Sequence, residues 1–165
     1  MSVDPMQAVV KQIGVIRSPF KSSDKIPIQS NMSEVQGEAD VLPEYAEGLA
    51  SLEGFSHVIL LYWFHRAKPV VMRITPYLDA KAHGVFATRA PSRPNPIGLS
   101  TVRLLRIEGS RLVFTGADML DESPLIDIKP FVPEFDNRHD ATSGWLAESL
   151  RKESGIHRSD DRFNY

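Results

Sequence analysis

Residues 84–100 read Gly-Val-Phe-Ala-Thr-Arg-Ala-Pro-Ser-Arg-Pro-Asn-Pro-Ile-Gly-Leu-Ser, and they bring the guanidinium groups of Arg89 and Arg93 close to the amide of Asn95. Arginine stays charged and offers a planar fork of donors, while an amide both donates and accepts, so the set suits a polar ligand that is anionic or heterocyclic. Pro91, Pro94 and Pro96 fix their own φ and push the preceding residues toward extended backbone, which presents Arg93 and Asn95 at defined angles. A proline-rich connection between two strands with solvated arginines accounts for the same composition. Elsewhere the chemistry-bearing residues are sparse. No cysteine is present, which excludes disulfides, thiolate metal sites and cysteine nucleophiles. The histidines at 57, 65, 83, 139 and 157 have no spacing that specifies a metal, and no metal is expected. Dinucleotide-binding, P-loop, zincin and serine-hydrolase motifs are all missing.

The elements that must position these groups read as short apolar runs bounded by Pro, Gly and Asp. Strands are expected over 13–17, 38–42, 57–64, 70–74, 84–88, 98–107, 111–116 and 125–129, each rich in β-branched or aromatic residues. Their spacing predicts a mainly β fold, a single closed or partly open antiparallel barrel with a few short helices. Helical patterns cover 44–52, opened by Pro43, and 143–153, stopped by Gly155. The barrel domain is expected over 10–140, with a C-terminal helix and mobile tail over 141–165.

A chain of 165 residues that is 42% hydrophobic and 24% charged is that of one folded domain. No signal peptide and no run long enough to span a bilayer is read, so the expected location is cytoplasmic. The formal charge of −2 hides an asymmetry, because residues 84–111 carry a net +4 and residues 112–140 a net −5. The basic segment offers Arg89, Arg93, Arg103, Arg106 and Arg111 to a phosphate backbone, and simple alternation would put Arg103 and Arg106 on opposite sides of their strand. The same charges would also serve as solvated faces that neutralise one another.

Ile13-Gly14-Val15-Ile16-Arg17-Ser18-Pro19-Phe20, Gly54-Phe55-Ser56-His57, residues 84–100 and residues 118–130 resemble, in order, the sequence blocks of the TrmO family, also called YaeB-like or TsaA-like proteins. The resemblance spans roughly residues 13–135. It implies a YaeB-like barrel, a homodimer, and S-adenosylmethionine-dependent methylation of tRNA at the exocyclic nitrogen of threonylcarbamoyladenosine beside the anticodon. Carried over by position, the donor site comprises Pro27, Ile28 and Gln29, then His65 and Arg66, then Arg89, then the turn Asp121, Glu122, Ser123 and Pro124. Ile28 departs from the family, which usually has a basic residue there. Arg93 and Asn95 are assigned to the substrate or to the shape of the loop. Methyl transfer from a sulfonium to a nitrogen is a direct displacement that needs positioning and charge placement but neither a protein nucleophile nor a metal. The displaced proton needs an acceptor, for which Asp121 is the expected catalytic residue and Asp118 and His65 are the alternatives. A methyltransferase for another RNA or a small molecule, and a non-catalytic module that binds S-adenosylmethionine or RNA, are the rival functions.

Overall fold

The structure, a computed structural model, describes residues 7–23 and 26–152. Six strands close an antiparallel barrel: β1 (Gly14–Arg17), β2 (Gln36–Val41), β3 (His57–Trp63), β6 (Ile97–Glu108), β7 (Arg111–Thr115) and β8 (Ser123–Pro130), in the order β1-β2-β7-β6-β3-β8 with β8 returning to β1. The barrel class expected from the strand spacing is therefore the observed one, and it is closed. Alternation decides what goes inside. Val58, Leu60 and Tyr62 of β3, Val102 of β6, and Leu112 and Phe114 of β7 are all buried, and they meet Ile16, Ala39, Val41 and Leu125 in one core. Two inward glycines make room for rings. A Cβ on Gly98 would lie 2.4 Å from the Tyr62 ring, and one on Gly37 would lie 2.7 Å from Phe114.

Several expected elements change form. The segments 70–74 and 84–88 do not join the barrel; only β4 (Arg73–Ile74) and β5 (His83–Gly84) pair, as a separate hairpin. Residues Val85–Ala87 instead turn into a 3₁₀ helix, closed by the Thr88 amide and hydroxyl on the Val85 carbonyl. This buries Val85 and turns Phe86 outward, a pattern that a sequence reading takes for strand alternation. The helix expected over 44–52 is a 3₁₀ helix over Pro43–Leu49, separated from a second at Leu52–Gly54 by Ser51 at φ 67°. After the barrel come a single turn of helix, α1 (Pro133–Asp136), and α2 (Leu146–Lys152), which begins three residues later than expected and whose expected end at 153 lies outside the described residues. Gly155 and the tail 156–165 lie outside the described residues.

The alternation argument for Arg103 and Arg106 fails at a β-bulge. The β6–β7 register shifts between Leu104 and Arg106, so that Leu104 pairs with Phe114 and Ile107 with Leu112 on the inside, while Arg103 and Arg106 both face out. One extra residue restores the phase.

Candidate functional site

Loops beside the barrel, the outward residues Leu99, Thr101 and Arg103 of β6, the β4–β5 hairpin and the segment leading into α2 enclose an open cleft of about 1430 Å³. The three-proline loop forms one wall. Arg93 donates to the carbonyls of Thr88 (3.1 Å) and Ala90 (3.4 Å), so its guanidinium clamps the loop that carries it. Arg89 reaches across the cleft and donates to Gln29 Oε1 at 2.6 Å. Pro27, Ile28, Gln29, His65, Arg66, Arg89, Arg93, Asn95 and Ser123 all line this one cleft, although they come from four separate stretches of chain. Ile28 supplies apolar lining there.

His65 is the least satisfied group in the site. Both of its ring nitrogens are closed off from solvent and have no hydrogen-bond partner among the described residues. Desolvation first, and the neighbouring Arg66 second, hold its pKa below the usual value. A neutral imidazole of this kind keeps one donor and one acceptor for a ligand, and an unmet buried polar atom calls for a partner.

The acidic residues divide. Asp118 lies on the cleft, where its Oδ1 accepts a hydrogen bond from Ser100 Oγ at 2.6 Å, and that hydroxyl lies 3.1 Å from the Tyr62 phenol oxygen. Burial pushes the Asp118 pKa up to about 7, against the opposing pull of the Ser100 hydroxyl and the Arg89 charge. Asp121 does not line the cleft. Its carboxylate takes the Lys21 ammonium and accepts from the Ser18 amide at 3.0 Å, beside a smaller cavity of about 310 Å³. Burial would raise its pKa, but Lys21 and the Ser18 amide outweigh it and hold the group below its ordinary value. Glu122, at φ 63°, donates its amide to the Ile16 carbonyl, and Pro124 sits in the β1–β8 ladder. The turn 121–124 thus anchors the loop behind the site and presents Ser123 alone to the cleft.

The wall opposite the arginines was not legible in the sequence. Trp145 donates its indole N–H to the Ala87 carbonyl at 2.8 Å and stacks on His83, with centroids 4.4 Å apart. His83 in turn lies 2.8 Å from an Asp79 carboxylate oxygen. Ser149 donates to the Leu78 carbonyl at 2.7 Å. These bonds draw the α2 segment over the hairpin, so that Trp145, Leu146 and Leu150 join Tyr77, Leu78 and Phe86 along the cleft. The signal that sequence reasoning passed over nearest the carboxylate is Ser100, a polar residue at an inward position between Gly98 and Val102.

Charge distinguishes the cleft from the rest of the surface. Arg66, Arg89, Arg93 and Arg103 line it, with Asp118 as the acidic residue among them, in a chain whose formal charge is −2. The remaining arginines of the basic segment are engaged elsewhere. Arg106 pairs with Glu108 at 2.5 Å, and Arg111 with Asp40 at 2.6 Å and Glu38 at 3.2 Å, on the outer face of the barrel.

Comparison with known proteins bears on the family and the fold. Residues 15–137 match the family described as the tRNA-methyltransferase O N-terminal domain. A probable S-adenosyl-L-methionine-binding protein of Pyrococcus abyssi is 48% identical over 160 residues, covering 96% of this chain and 86% of that protein. The tRNA (adenine(37)-N6)-methyltransferase of Escherichia coli is 36% identical over 157 residues, covering 88% of this chain and 67% of that protein. The crystal structure of TrmO from Pseudomonas aeruginosa superposes with a TM-score of 0.72 at 42% identity, over 85% of this chain and 63% of that one. A match that runs from the first barrel strand past the last, with a solved barrel of the same shape behind it, leaves one assignment: the chain belongs to the TrmO family.

Proposed function

We propose that this chain is an S-adenosylmethionine-dependent methyltransferase acting on tRNA, and that its acceptor is the exocyclic nitrogen of threonylcarbamoyladenosine next to the anticodon. The observation that carries the reading is a cationic cleft holding one buried carboxylate and one histidine with no partner for either ring nitrogen. When bound, S-adenosylmethionine supplies a methyl group on a positively charged sulfur. The residues present fit such a donor. Arg66 and Arg89 suit its carboxylate, His65 can exchange hydrogen bonds with its polar groups, and Ile28 gives apolar contact to an uncharged part of it. Pro27, Gln29 and Ser123 complete that half of the cleft, while Asp121, Glu122 and Pro124 act from behind it by fixing the loop.

The acceptor nitrogen would form a bond to the methyl carbon with its own electron pair while the carbon–sulfur bond breaks and its pair returns to sulfur, releasing the neutral thioether S-adenosylhomocysteine, and the nitrogen must shed a proton. Asp118 is the group placed to take it. Its pKa near neutrality matches a general base at working pH, whereas Asp121 is committed to Lys21 and lies off the cleft. Asn95, exposed on the rim, is assigned to the nucleic acid, and Arg93 to the shape of the loop.

A homodimer in a cytoplasmic setting belongs to the same proposal. Its support is exposed apolar surface on β6, where Leu105 is 44% exposed and Leu99, which also lines the cleft, is 50% exposed. The test is a mass-spectrometric comparison of tRNA nucleosides from cells with and without the protein, repeated in vitro with labelled donor. Methylated threonylcarbamoyladenosine that vanishes without the protein is the expected result. Donor binding with no transfer to any tRNA would overturn the enzymatic reading, and transfer to tRNA lacking the threonylcarbamoyl group would overturn the substrate.

A further inference from the structure

The cleft is larger than one small ligand requires, since drug-sized ligands fill roughly 300–1,000 Å³ and this one offers about 1430 Å³. Its two halves differ in chemistry. The half built from Gln29, His65, Arg66 and Arg89 is polar and cationic, whereas the half beneath the β4–β5 hairpin is apolar. Phe86 stands out in that second half. It is 71% exposed, yet it lines the cleft three residues before Arg89. Its backbone is held on every side: Val85 is buried and donates to Met72, Thr88 closes the turn on Val85, and Trp145 holds the next carbonyl, that of Ala87. A large aromatic side chain on a fixed backbone, facing an open cavity with guanidinium groups along the adjoining wall, has the chemistry of a platform for a heterocycle attached to phosphate.

We propose that Phe86 is the stacking surface for an unstacked nucleobase of the substrate RNA, held in the apolar half of the cleft while Arg103 lies on the side of its phosphates. The inference rests on the reading of the substrate as tRNA. It names a binding surface distinct from the donor positions and a residue that sets which face of the base is presented to Asp118. Charge complementarity selects the occupant. Four arginines against one carboxylate along the cleft favour a polyanion as its occupant.

The experiment uses the full chain, a saturating concentration of S-adenosylhomocysteine, which has no methyl group to transfer, and an anticodon stem-loop carrying threonylcarbamoyladenosine at the target position with 2-aminopurine beside it. Phe86→Ala should weaken stem-loop binding about 5- to 150-fold, the range that loss of one base–aromatic stack gives, and should abolish the rise in 2-aminopurine fluorescence that follows when the target base leaves the stack. Phe86→Tyr should restore both to within about 3-fold, since the ring is what matters. Donor affinity measured by calorimetry and the salt dependence of stem-loop binding should be the same in all three proteins, because stacking releases no counterion. Wild-type affinity and a wild-type fluorescence rise in Phe86→Ala would overturn the stacking role. A change of oligomeric state in that variant, by analytical ultracentrifugation, would instead make Phe86 a contact between copies and also overturn it. If the wild-type protein binds the donor but no stem-loop, the substrate reading fails first and the stacking role falls with it.

Discussion

Replacing Asp118 with asparagine separates the two effects proposed for it, one on the fold and one on the reaction. Burial raises the Asp118 pKa from 3.8 to about 7, so between those pH values the folded chain retains a proton that the unfolded chain has released. The sign follows from linkage: this contribution is most favourable below pH 3.8, declines as pH rises, and is fully lost once pH passes about 7. At ~1.4 kcal/mol for each pH unit of that span, the ionised carboxylate costs the fold about 4 kcal/mol at pH 8. Asparagine keeps an oxygen for the Ser100 hydroxyl and has no charge to bury. Asp118→Asn should therefore melt at the wild-type temperature near pH 4, and roughly 8–16 °C above it at pH 8 for a domain of this size. Turnover should fall in the same variant by about 10²- to 10⁴-fold, the span that a general base supplies, and the wild-type kcat should climb with pH to a plateau above about pH 7. Thermal melts at the two pH values and single-turnover methyl transfer measure these directly. Wild-type turnover in the variant, or a wild-type kcat that is flat from pH 6 to 8, would refute the catalytic role; no gain in melting temperature at pH 8 would refute the burial argument beneath it.

Ser100→Ala removes a hydrogen bond that favours the ionised Asp118, so the Asp118 pKa should rise further and the climb in kcat should move to higher pH, read from the same pH profile. Arg89→Ala should weaken S-adenosylmethionine binding by roughly 1.5–3 kcal/mol in calorimetry, and unchanged affinity would remove Arg89 from the donor site. Gly98→Ala places a Cβ 2.4 Å from the Tyr62 ring and should cost about 1–3 kcal/mol of stability in chemical denaturation, with the Tyr62–Ser100 contact disturbed as well. Arg106→Ala and Arg111→Ala should leave the salt dependence of tRNA binding untouched, since both guanidiniums are held by carboxylates on the outer barrel face, while Arg103→Ala should lower its slope by roughly one.

The barrel was legible because a closed sheet enforces period two on each strand, and a core such as Val58, Leu60 and Tyr62 writes that period into the sequence. Where the chain leaves the ladder the signal disappears. Val85 in and Phe86 out look like strand alternation, but the Thr88 side chain bends the segment into a 3₁₀ turn. The bulge at β6 is invisible for the same reason, since the shift that sends Arg103 and Arg106 to one face depends on pairing with β7.

The choice between the two aspartates shows why a site can be half read. Asp118 and Asp121 are the same residue type three positions apart, and local sequence treats them alike. What separates them is distant in the chain: Lys21 and the Ser18 amide draw Asp121 to the far side of the turn, while Ser100 receives Asp118 at the floor of the cleft. The same holds for charge. The sequence total of −2 counts every carboxylate equally, but Glu38, Asp40 and Glu108 are spent on Arg106 and Arg111 outside the barrel. Along the cleft, Arg66, Arg89, Arg93 and Arg103 face Asp118, so a chain that is acidic overall carries a local excess of positive charge there.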